Sequence, residues 1–468
     1  MMNKKQFILI YTLLLIVAGL SAWSITDDYF GNRFGSLNAR SQAMGGTGLF
    51  EDTRVGGIVL NPANITLMDK WVGIEFAGFV NRNEDHRALP LYNSFDNYID
   101  DAVYASNVNF NDDYAGAAFG AFKIGPAKLG LGLSYKPVLS FDGGYIEQIR
   151  NNRNTDNDAY PEMIAVNRID NEGNLMQASA LAALGFRLGD YTDLNLGFEF
   201  GKLFGKTTNL TTIRWSQWAV DTVGEGILPE YTYSGETDLE GTLMKAGMAF
   251  RLNERFGLAG TWQLKSTLDR AVDYSIQKDA WRGHAAIDST ASFTEDYILP
   301  SQISIGLNYQ PRNIMRTRFN IEAEWVKHSE ISTHYDDCLN FYTGVEHHVQ
   351  NRLPLRLGFQ AVNSYLRQIE DDGAMIVKKV LTPMITGGSS IPLSDNLHLD
   401  LGLGYSWREY EALDLFGDTY YNDKQYTGLG SYKLWPNQHI NLIDRGWENP
   451  DKVRESNVSL SASLGFTW

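Results

Sequence analysis

The chain has 468 residues, a formal net charge of −16 and a mean hydropathy of −0.27. This charge disfavours nucleic acid as a partner, and the hydropathy excludes a bundle of membrane-spanning helices. The single cysteine, Cys338, excludes an internal disulfide framework, whereas 24 Tyr, 23 Phe, 11 Trp and 44 Gly are typical of a β-barrel, in which membrane-facing residues are diluted by lumen-facing residues and polar loops.

The amino terminus has the pattern of a secretory signal peptide. Lys4 and Lys5 precede an apolar run from Phe7 to Leu20, and small residues follow, with cleavage expected after Ala22 or Ser24. No cysteine lies near this position, so a lipoprotein is excluded. The alternative is an uncleaved anchor helix, for which the apolar run is short. We therefore assign residues 1–22 to a signal peptide.

Residues 23–70 contain glycines and a turn signal but no strand pattern. Gly45, Gly46 and Gly48 permit a tight backbone and close approach to a wall, and Asn61–Pro62 favours a turn. The glycines do not form a phosphate loop, because the Lys-Ser/Thr pair and a following helix are missing.

Alternation of apolar and polar residues, which has the period of a β-strand, recurs along the rest of the chain. It predicts these thirteen strands: Trp71–Val80, Ala115–Lys123, Lys128–Lys136, Gln177–Leu188, Asp193–Gly201, Met244–Leu252, Phe256–Leu264, Ile303–Gln310, Arg318–Val326, Leu353–Gln360, Pro383–Ile391, Leu397–Trp407 and Val458–Trp468. Short turns alternate with long polar stretches, which we expect to be extracellular loops: Arg82–Asn111, Phe141–Asn174, Lys206–Glu240, Thr267–Leu299 and Arg408–Asn457. The fold class is therefore all-β, a transmembrane antiparallel barrel over residues 71–468.

The last strand fixes the direction of all the others. Its outward residues Leu464, Phe466 and Trp468 end on an aromatic carboxy terminus, which is typical of the closing strand of an outer-membrane barrel. Because both barrel ends are periplasmic, the strand number must be even, and one downward strand is missing between Val326 and Leu353. We place it near Leu339–His348, which gives fourteen strands; twelve or sixteen are the alternatives.

A fourteen-stranded barrel encloses a lumen too wide for side chains alone to fill. It either conducts water or holds a plug, and residues 23–70 are the segment available for this role. Strand parity predicts lumen-facing polar residues at Glu199, Lys245, Glu322, Glu324, Arg356, His398 and Asp400. They form either a polar path for a substrate or, as we favour, an ion-pair lattice that braces the barrel.

Here the chain resembles the FadL family of outer-membrane transporters and its PorV-like relatives. The matching pattern is the Ala-x-Gly-Gly-x-Gly run at residues 43–48, the acidic step at Glu51–Asp52, and Asn61-Pro62-Ala63 before the first strand. Weaker matches are Pro137 after a Gly-Leu-Gly-Leu strand, Leu299–Pro300, the Glu322-x-Glu324-Trp325 strand and the Arg356–Phe359 strand.

The resemblance implies a fourteen-stranded barrel closed by an amino-terminal hatch over residues 23–70. Gly45, Gly46, Gly48, Asn61, Pro62 and Ala63 would form the hatch motif. Pro137 would mark a kinked third strand, where long-chain fatty acids or other hydrophobic molecules leave sideways through the wall. Proline lacks the N–H that a ladder needs, which suits such a site. The alternative is that Pro137 ends a strand, and the following Val138–Leu139 departs from the family's aromatic-Gly pair.

Two functions follow from the resemblance: transport of hydrophobic small molecules across the outer membrane, or a non-transporting barrel that docks partner proteins in secretion or surface assembly. Apolar residues in the first predicted extracellular stretch favour capture of a hydrophobic ligand: Leu89, Leu91, Tyr92, Phe95, Tyr98 and Ile99. We expect outer-membrane lipid and lipopolysaccharide around the barrel, the barrel-assembly machinery at the carboxy-terminal strand, and a protein partner at the extracellular loops in the docking alternative.

No enzymatic activity, cofactor or metal is predicted. Glu322 and Glu324 share one face, but no acid–base partner is identifiable for them. His347 and His348 fall on opposite faces of a strand, which disfavours a shared metal ion.

Overall fold

The computed structural model describes residues 29–33, 38–50, 54–92, 97–150, 163–223, 228, 230–280, 285–312, 316–349, 353–369, 375–413, 415–416 and 451–468. The predicted signal peptide, residues 1–22, lies outside these ranges. So do Glu51, Asp52 and Phe95.

The strands form one closed antiparallel barrel. A short strand β1 (Asn32–Arg33) precedes the barrel strands β2 (Val72–Tyr92), β3 (Tyr98–Ile124), β4 (Ala127–Ser140), β5 (Gly143–Arg150), β6 (Met163–Arg187), β7 (Asp193–Trp215), β8 (Tyr231–Arg251), β9 (Phe256–Gln263), β10 (Ser266–Lys278), β11 (Ile287–Leu299), β12 (Gln302–Tyr309), β13 (Arg318–Val326), β14 (Cys338–Val349), β15 (Leu353–Ile369), β16 (Met375–Pro392), β17 (Leu397–Ala412) and β18 (Asp451–Thr467). Three of the strands that run the height of the wall are interrupted. The pairs β4 and β5, β9 and β10, and β11 and β12 each form one such strand in two pieces. The barrel wall therefore has fourteen strands.

The carboxy-terminal strand closes the barrel, as the sequence predicts. Strand β18 pairs with β17 on one side and with β2 on the other, from Thr467 opposite Gly73 to Lys452 opposite Ala88. Trp468 extends this closure, because its carbonyl accepts from the backbone N–H of Trp71 at 3.1 Å and its own N–H donates to Val72 at 3.0 Å.

The strand that parity predicts near Leu339–His348, where the local sequence pattern is weak, is present. Strand β14 pairs with β13 and β15, and its bounds lie within one residue of the predicted Leu339–His348. The parity argument and the count of fourteen are both confirmed.

The barrel is apolar outside and polar inside. Along β17, Leu403, Tyr405 and Trp407 are 40–52% exposed, whereas Gly404 and Ser406 between them are buried. Leu464, Phe466 and Trp468 also lie on the outward face, with Phe466 and Trp468 39% and 50% exposed. An apolar outer face is what a barrel surrounded by lipid requires.

The prediction that long polar stretches are loops was wrong for most of their length. Residues 82–92 and 98–111 continue β2 and β3, residues 163–174 belong to β6, and β10 and β11 occupy most of 267–299. Backbone pairing therefore continues well beyond the apolar part of the wall. Tyr98 and Ile99 in this extension are 50% and 61% exposed.

The amino-terminal segment (residues 38–50 and 54–70) consists of short helices and turns. Its helices are α1 (Ala39–Ala43), α2 (Gly57–Leu60) and α3 (Asn64–Leu67); α4 (Gln217–Val223) and a 3₁₀ turn (His328–Glu330) lie between strands. Asn38 caps α1 by accepting from the Ser41 N–H at 2.6 Å. In the part of the chain that the structure describes, no helix is long and apolar enough to cross a membrane.

Candidate functional site

The amino-terminal segment contacts inward-facing side chains of the barrel. The N–H of Ala39 donates to Ser463 Oγ at 2.9 Å, and the N–H of Gly45 donates to Thr386 Oγ1 at 2.9 Å. The N–H of Gly48 donates to Glu322 Oε1 at 2.8 Å. The wall thus supplies acceptors for backbone N–H groups of the segment, one at the start of α1 and two in the glycine-containing turn that follows it.

The predicted glycines lie where the segment meets the wall. Gly45, Gly46 and Gly48 have φ of +67°, +83° and +150°, a region that favours glycine. A side chain at Gly45 would place Cβ 2.5 Å from the carbonyl oxygen of Thr343 and 2.6 Å from the nitrogen of Phe359. The segment therefore approaches the backbone of β14 and β15 directly.

The Asn61-Pro62-Ala63 motif packs against glycines of two neighbouring strands. Asn61 Nδ2 donates to the carbonyls of Leu49 at 2.8 Å and Met248 at 3.0 Å, and its Oδ1 accepts from the Ala63 N–H at 3.0 Å. A Cβ on Gly197 of β7 or Gly247 of β8 would overlap this motif. The asparagine fixes the turn and joins it to β8.

Five buried or half-buried charges form a chain of ion pairs between the segment and the wall. Arg40 of α1 pairs with Glu346 at 3.1 Å, and Glu346 pairs with Arg356 at 2.7 Å. Arg356 then pairs with Asp400 at 2.6 Å, and Asp400 pairs with Arg54 at 2.5 Å. Each carboxylate is shared by two guanidinium groups, so the desolvated charges compensate one another.

The remaining predicted lumen residues also point inward. Glu199 pairs with Lys245 at 3.3 Å, and Lys245 Nζ donates to the carbonyl of Val59 at 2.8 Å. Glu324 pairs with Arg33 at 3.0 Å, and His398 Nε2 lies 3.7 Å from Asp400. Together with the five-charge chain, these contacts have the character of a bracing lattice.

A cavity of about 410 Å³ lies inside the barrel, next to the amino-terminal segment. Its apolar side is contributed by Pro137, Val138, Leu139, Leu243, Tyr297 and Leu299. Its polar side is formed mainly by β2 and β13–β18. Among the charged groups of the lining, Lys136 is distinctive, because no described carboxylate lies within salt-bridge distance of its ammonium.

The wall of the barrel is interrupted beside this cavity. Strands β3 and β4 pair only from Ile124–Ala127 up to Gly116–Tyr135, and the pairing ends immediately before Lys136. On its other side β4 stays paired with β6, with a register shift between Pro137 and Leu139. In place of β3, the short strand β1 pairs with β4, Asn32 opposite Ser140 and Arg33 opposite Leu139.

Above the interruption, side chains replace the missing ladder. Asn109 Nδ2 donates to the carbonyl of Gly144 at 2.8 Å, the Ile146 N–H donates to Asn107 Oδ1 at 2.9 Å, and Asn111 Nδ2 donates to Ser140 Oγ at 2.8 Å. We call Asn107, Asn109 and Asn111 the asparagine bridge. Sequence reasoning missed it, although an amide at every second position was a visible signal.

Two aromatic residues that precede β1, Tyr29 and Phe30, lie next to the cavity. The ring of Tyr29 lies between two guanidinium groups, 5.2 Å from that of Arg270 and 4.1 Å from that of Arg367. Phe30 lines the cavity and packs edge-on against Tyr335, with ring centroids 5.4 Å apart. Residues 30–33 thus form part of the cavity lining, together with residues of the amino-terminal segment.

His328, in the 3₁₀ turn between β13 and β14, also lines the cavity. Burial lowers the pKa of His328 to about 4, and the positive charge of Arg33 acts in the same direction. The described residues contain no group of three or more His, Cys, Asp and Glu side chains placed to hold a metal ion. His347 contacts Thr317 instead, at 2.9 Å.

No family model matches the sequence, and no curated protein matches it either. Solved structures do match in fold. A Pseudomonas aeruginosa FadL homologue has a TM-score of 0.57 at 12% identity, over 93% of this chain and 99% of that one. The Pseudomonas putida toluene transporter TodX has a TM-score of 0.55 at 11% identity, over 93% and 99%. The CymD monoaromatic hydrocarbon channel has a TM-score of 0.53 at 12% identity, over 94% and 99%.

These similarities cover nearly the whole chain. The architecture is therefore that of FadL-type outer-membrane transporters, a closed fourteen-stranded barrel. At this level of identity the similarity defines the fold, and the substrate must be argued from the residues of this chain.

Proposed function

We propose that the chain is an integral protein of a bacterial outer membrane that transports hydrophobic small molecules, such as long-chain fatty acids. The observation that carries this proposal is the position of the cavity. It borders the wall where β3 and β4 are unpaired, and Pro137, Val138 and Leu139 belong to both features. A hydrophobic molecule in the cavity lies beside this unpaired stretch, and displacement of β1 from the edge of β4 would open a route sideways into the bilayer.

The chemistry of the lining suits a fatty acid. Its apolar side can hold the chain, and the Lys136 ammonium can receive the carboxylate. The amino-terminal segment acts as a hatch in this proposal, because its ion pairs and backbone hydrogen bonds hold it across the lumen. A barrel that only docks proteins has no use for a cavity beside an unpaired stretch of wall, so transport is favoured over docking.

Strand β1 is the part that must move. It covers the edge of β4, and exit through the wall requires Asn32 and Arg33 to leave that edge. Directly opposed residues of antiparallel strands have Cα atoms about 4.5–5.5 Å apart, within the range that a disulfide spans. A disulfide between Arg33→Cys and Leu139→Cys, in a Cys338→Ser background, should therefore lock β1 in place.

Uptake of radiolabelled oleate by cells that produce this variant measures the effect. We expect uptake to be lost under oxidising conditions and restored by reduction. The matched control is Ile74→Cys with Phe466→Cys, an opposed outward pair on the closing strands, which should leave uptake unchanged. Equal uptake by the oxidised and reduced β1-locked protein would contradict exit at this position.

A further inference from the structure

The cavity has two chemically different sides. Apolar side chains from β4, β8 and β11 form one, whereas β2, β17 and β18 contribute neutral polar side chains to the other. A purely apolar ligand would match only the first side. The polar side therefore indicates that the ligand has a polar group as well as an apolar part.

Cross-strand register gathers the polar side chains into a patch, which we call the amide face. Asn83 of β2 lies opposite Asn457 of β18, which lies opposite Ser406 of β17. Two residues further along each strand, on the same face, Asn81 lies opposite Ser459. Ser459 Oγ accepts from Gln42 Nε2 at 2.6 Å. All six residues line the cavity, and each is at most 8% exposed.

Acceptor atoms of this face lack protein donors. Among the described residues, no hydrogen-bond donor lies within reach of Asn83 Oδ1, Asn457 Oδ1 or Gln42 Oε1. Buried polar atoms are normally hydrogen-bonded, and three without a protein donor on one cavity wall indicate that a bound molecule supplies donors. A hydroxyl group fits, because it can donate to one amide oxygen and accept from a neighbouring amide N–H.

The adjoining charges favour a neutral group at the amide face. In the next row, Arg408 and Glu455 pair with each other at 2.7 Å. Lys136 lies on β4, among the apolar residues of the lining. A ligand can therefore present a carboxylate to Lys136 and a neutral hydroxyl to the amide face.

We propose that the cavity selects hydroxylated long-chain acids over the corresponding plain acids, with the hydroxyl bound by Asn83 and Asn457. This inference rests on the proposed function, since it assumes that the cavity holds a transported molecule. It adds the part of the substrate that the amide face recognises.

Two matched ligands test it: octadecanoate and a hydroxyoctadecanoate with its hydroxyl at mid-chain. Binding of each to the wild-type protein in lipid nanodiscs is measured by calorimetry. Because one buried hydrogen-bonding group separates the ligands, we expect the hydroxy acid to bind about tenfold tighter. Asn83→Leu and Asn457→Leu should each weaken binding of the hydroxy acid much more than binding of octadecanoate, and so remove most of this preference.

The matched control is Asn308→Leu, at an amide that is 3% exposed, bonds Asn320 at 2.6 Å and lies outside the cavity lining. It should retain the preference. Equal affinity of the wild-type protein for the two acids would overturn the inference, and so would equal weakening of both acids by Asn83→Leu and Asn457→Leu. The wild-type comparison decides the question even where a variant does not fold. Failure of both acids to bind the wild-type protein would instead contradict the proposed function.

Discussion

Gly45 and Gly125 adopt nearly the same left-handed backbone but differ in the space around them. Their φ angles are +67° and +59°. A Cβ at Gly45 would meet the backbone of Thr343 and Phe359 at 2.5–2.7 Å, whereas a Cβ at Gly125 has nothing within 4 Å. Comparing an alanine substitution at each glycine therefore separates two losses of stability: one from the left-handed backbone conformation, and one from overlap between the amino-terminal segment and the wall.

We expect Gly125→Ala to destabilise the protein by about 1 kcal/mol, from the left-handed conformation alone. Gly45→Ala should cost about 2–4 kcal/mol, because overlap with two backbones is added to the same strain. Urea unfolding of the purified barrel, followed by tryptophan fluorescence, gives both values. Equal losses would show that the segment does not contact β14 and β15 as described.

His328 makes the stability of its turn dependent on pH. Its folded pKa is about 4, and its ordinary value is 6.5, so the unfolded chain binds more protons between these two values. Stability is therefore fully present above about pH 6.5 and falls progressively as the pH drops towards 4. Because solvent screens a half-buried ring, we expect a loss of about 1–2 kcal/mol over this range.

His328→Gln tests this assignment, because glutamine does not titrate. Unfolding by urea at a series of pH values between 7.5 and 4 should give a shallower decline for the variant than for the wild-type protein. Identical slopes for the two proteins would assign the pH dependence to other groups.

At the scale of elements, the asparagine bridge is the connection that holds β3 beside β5 where no backbone ladder joins them. Asn107→Ala removes the acceptor of the Ile146 N–H. We expect the amide of Ile146 to exchange about fivefold faster with solvent deuterium, as befits the loss of one hydrogen bond. Hydrogen-exchange mass spectrometry of the β5 peptide measures this change.

Asn209→Ala is the matched control for the bridge. Asn209 Nδ2 also bonds across a strand pair, to Asn171 Oδ1 at 2.6 Å, but β6 and β7 are joined there by a continuous backbone ladder. Exchange in β6 and β7 should not change. Faster exchange in β6 and β7 of Asn209→Ala would refute a special role for the bridge, and so would an unchanged exchange rate at Ile146 in Asn107→Ala.

The sequence predicts the barrel strands well over the apolar band of the outer face, because only there do apolar and polar residues alternate. Once β2 passes Val80, its outward residues are Arg82, Glu84 and His86, and its inward residues are also polar. The two faces then look alike in sequence, and the extension reads as a loop. Pairing with β18 nevertheless continues to Ala88, since each strand offers the other a partner for its backbone groups.

Part of the candidate site can also be predicted from local sequence pattern, and part cannot. Glycines, the Asn-Pro-Ala motif and strand parity identify single residues of the amino-terminal segment and of the inward face. The amide face depends on the register that places Asn83 opposite Asn457, 374 positions later in the chain. Local pattern carries no such information, and the same holds for Arg40 and Arg54, whose carboxylate partners lie on β14 and β17.

For the whole molecule, the proposed membrane location makes the apolar band of the outer face the part that the bilayer surrounds. The outward residues from Val458 in β18 to Trp468 just after it are apolar, whereas Ser456, Arg454 and Lys452 occupy the outward positions beyond Val458. A charge placed on a lipid-facing position costs most at the bilayer midplane and least at its edges. The cost of an arginine at different heights on this one strand therefore measures the depth of the barrel in the membrane.

Leu464→Arg lies within the apolar band, and Ser456→Arg lies at its edge on the same outward face. We expect the first to reduce the free energy of unfolding by about 2–4 kcal/mol and the second by about 0–1 kcal/mol. Guanidinium unfolding of the barrel folded into phospholipid vesicles gives both numbers, and unfolding in detergent micelles serves as the comparison. If a bilayer surrounds this band, Leu464→Arg must lose more unfolding free energy than Ser456→Arg. Equal losses in the two variants would mean that lipid does not surround this face.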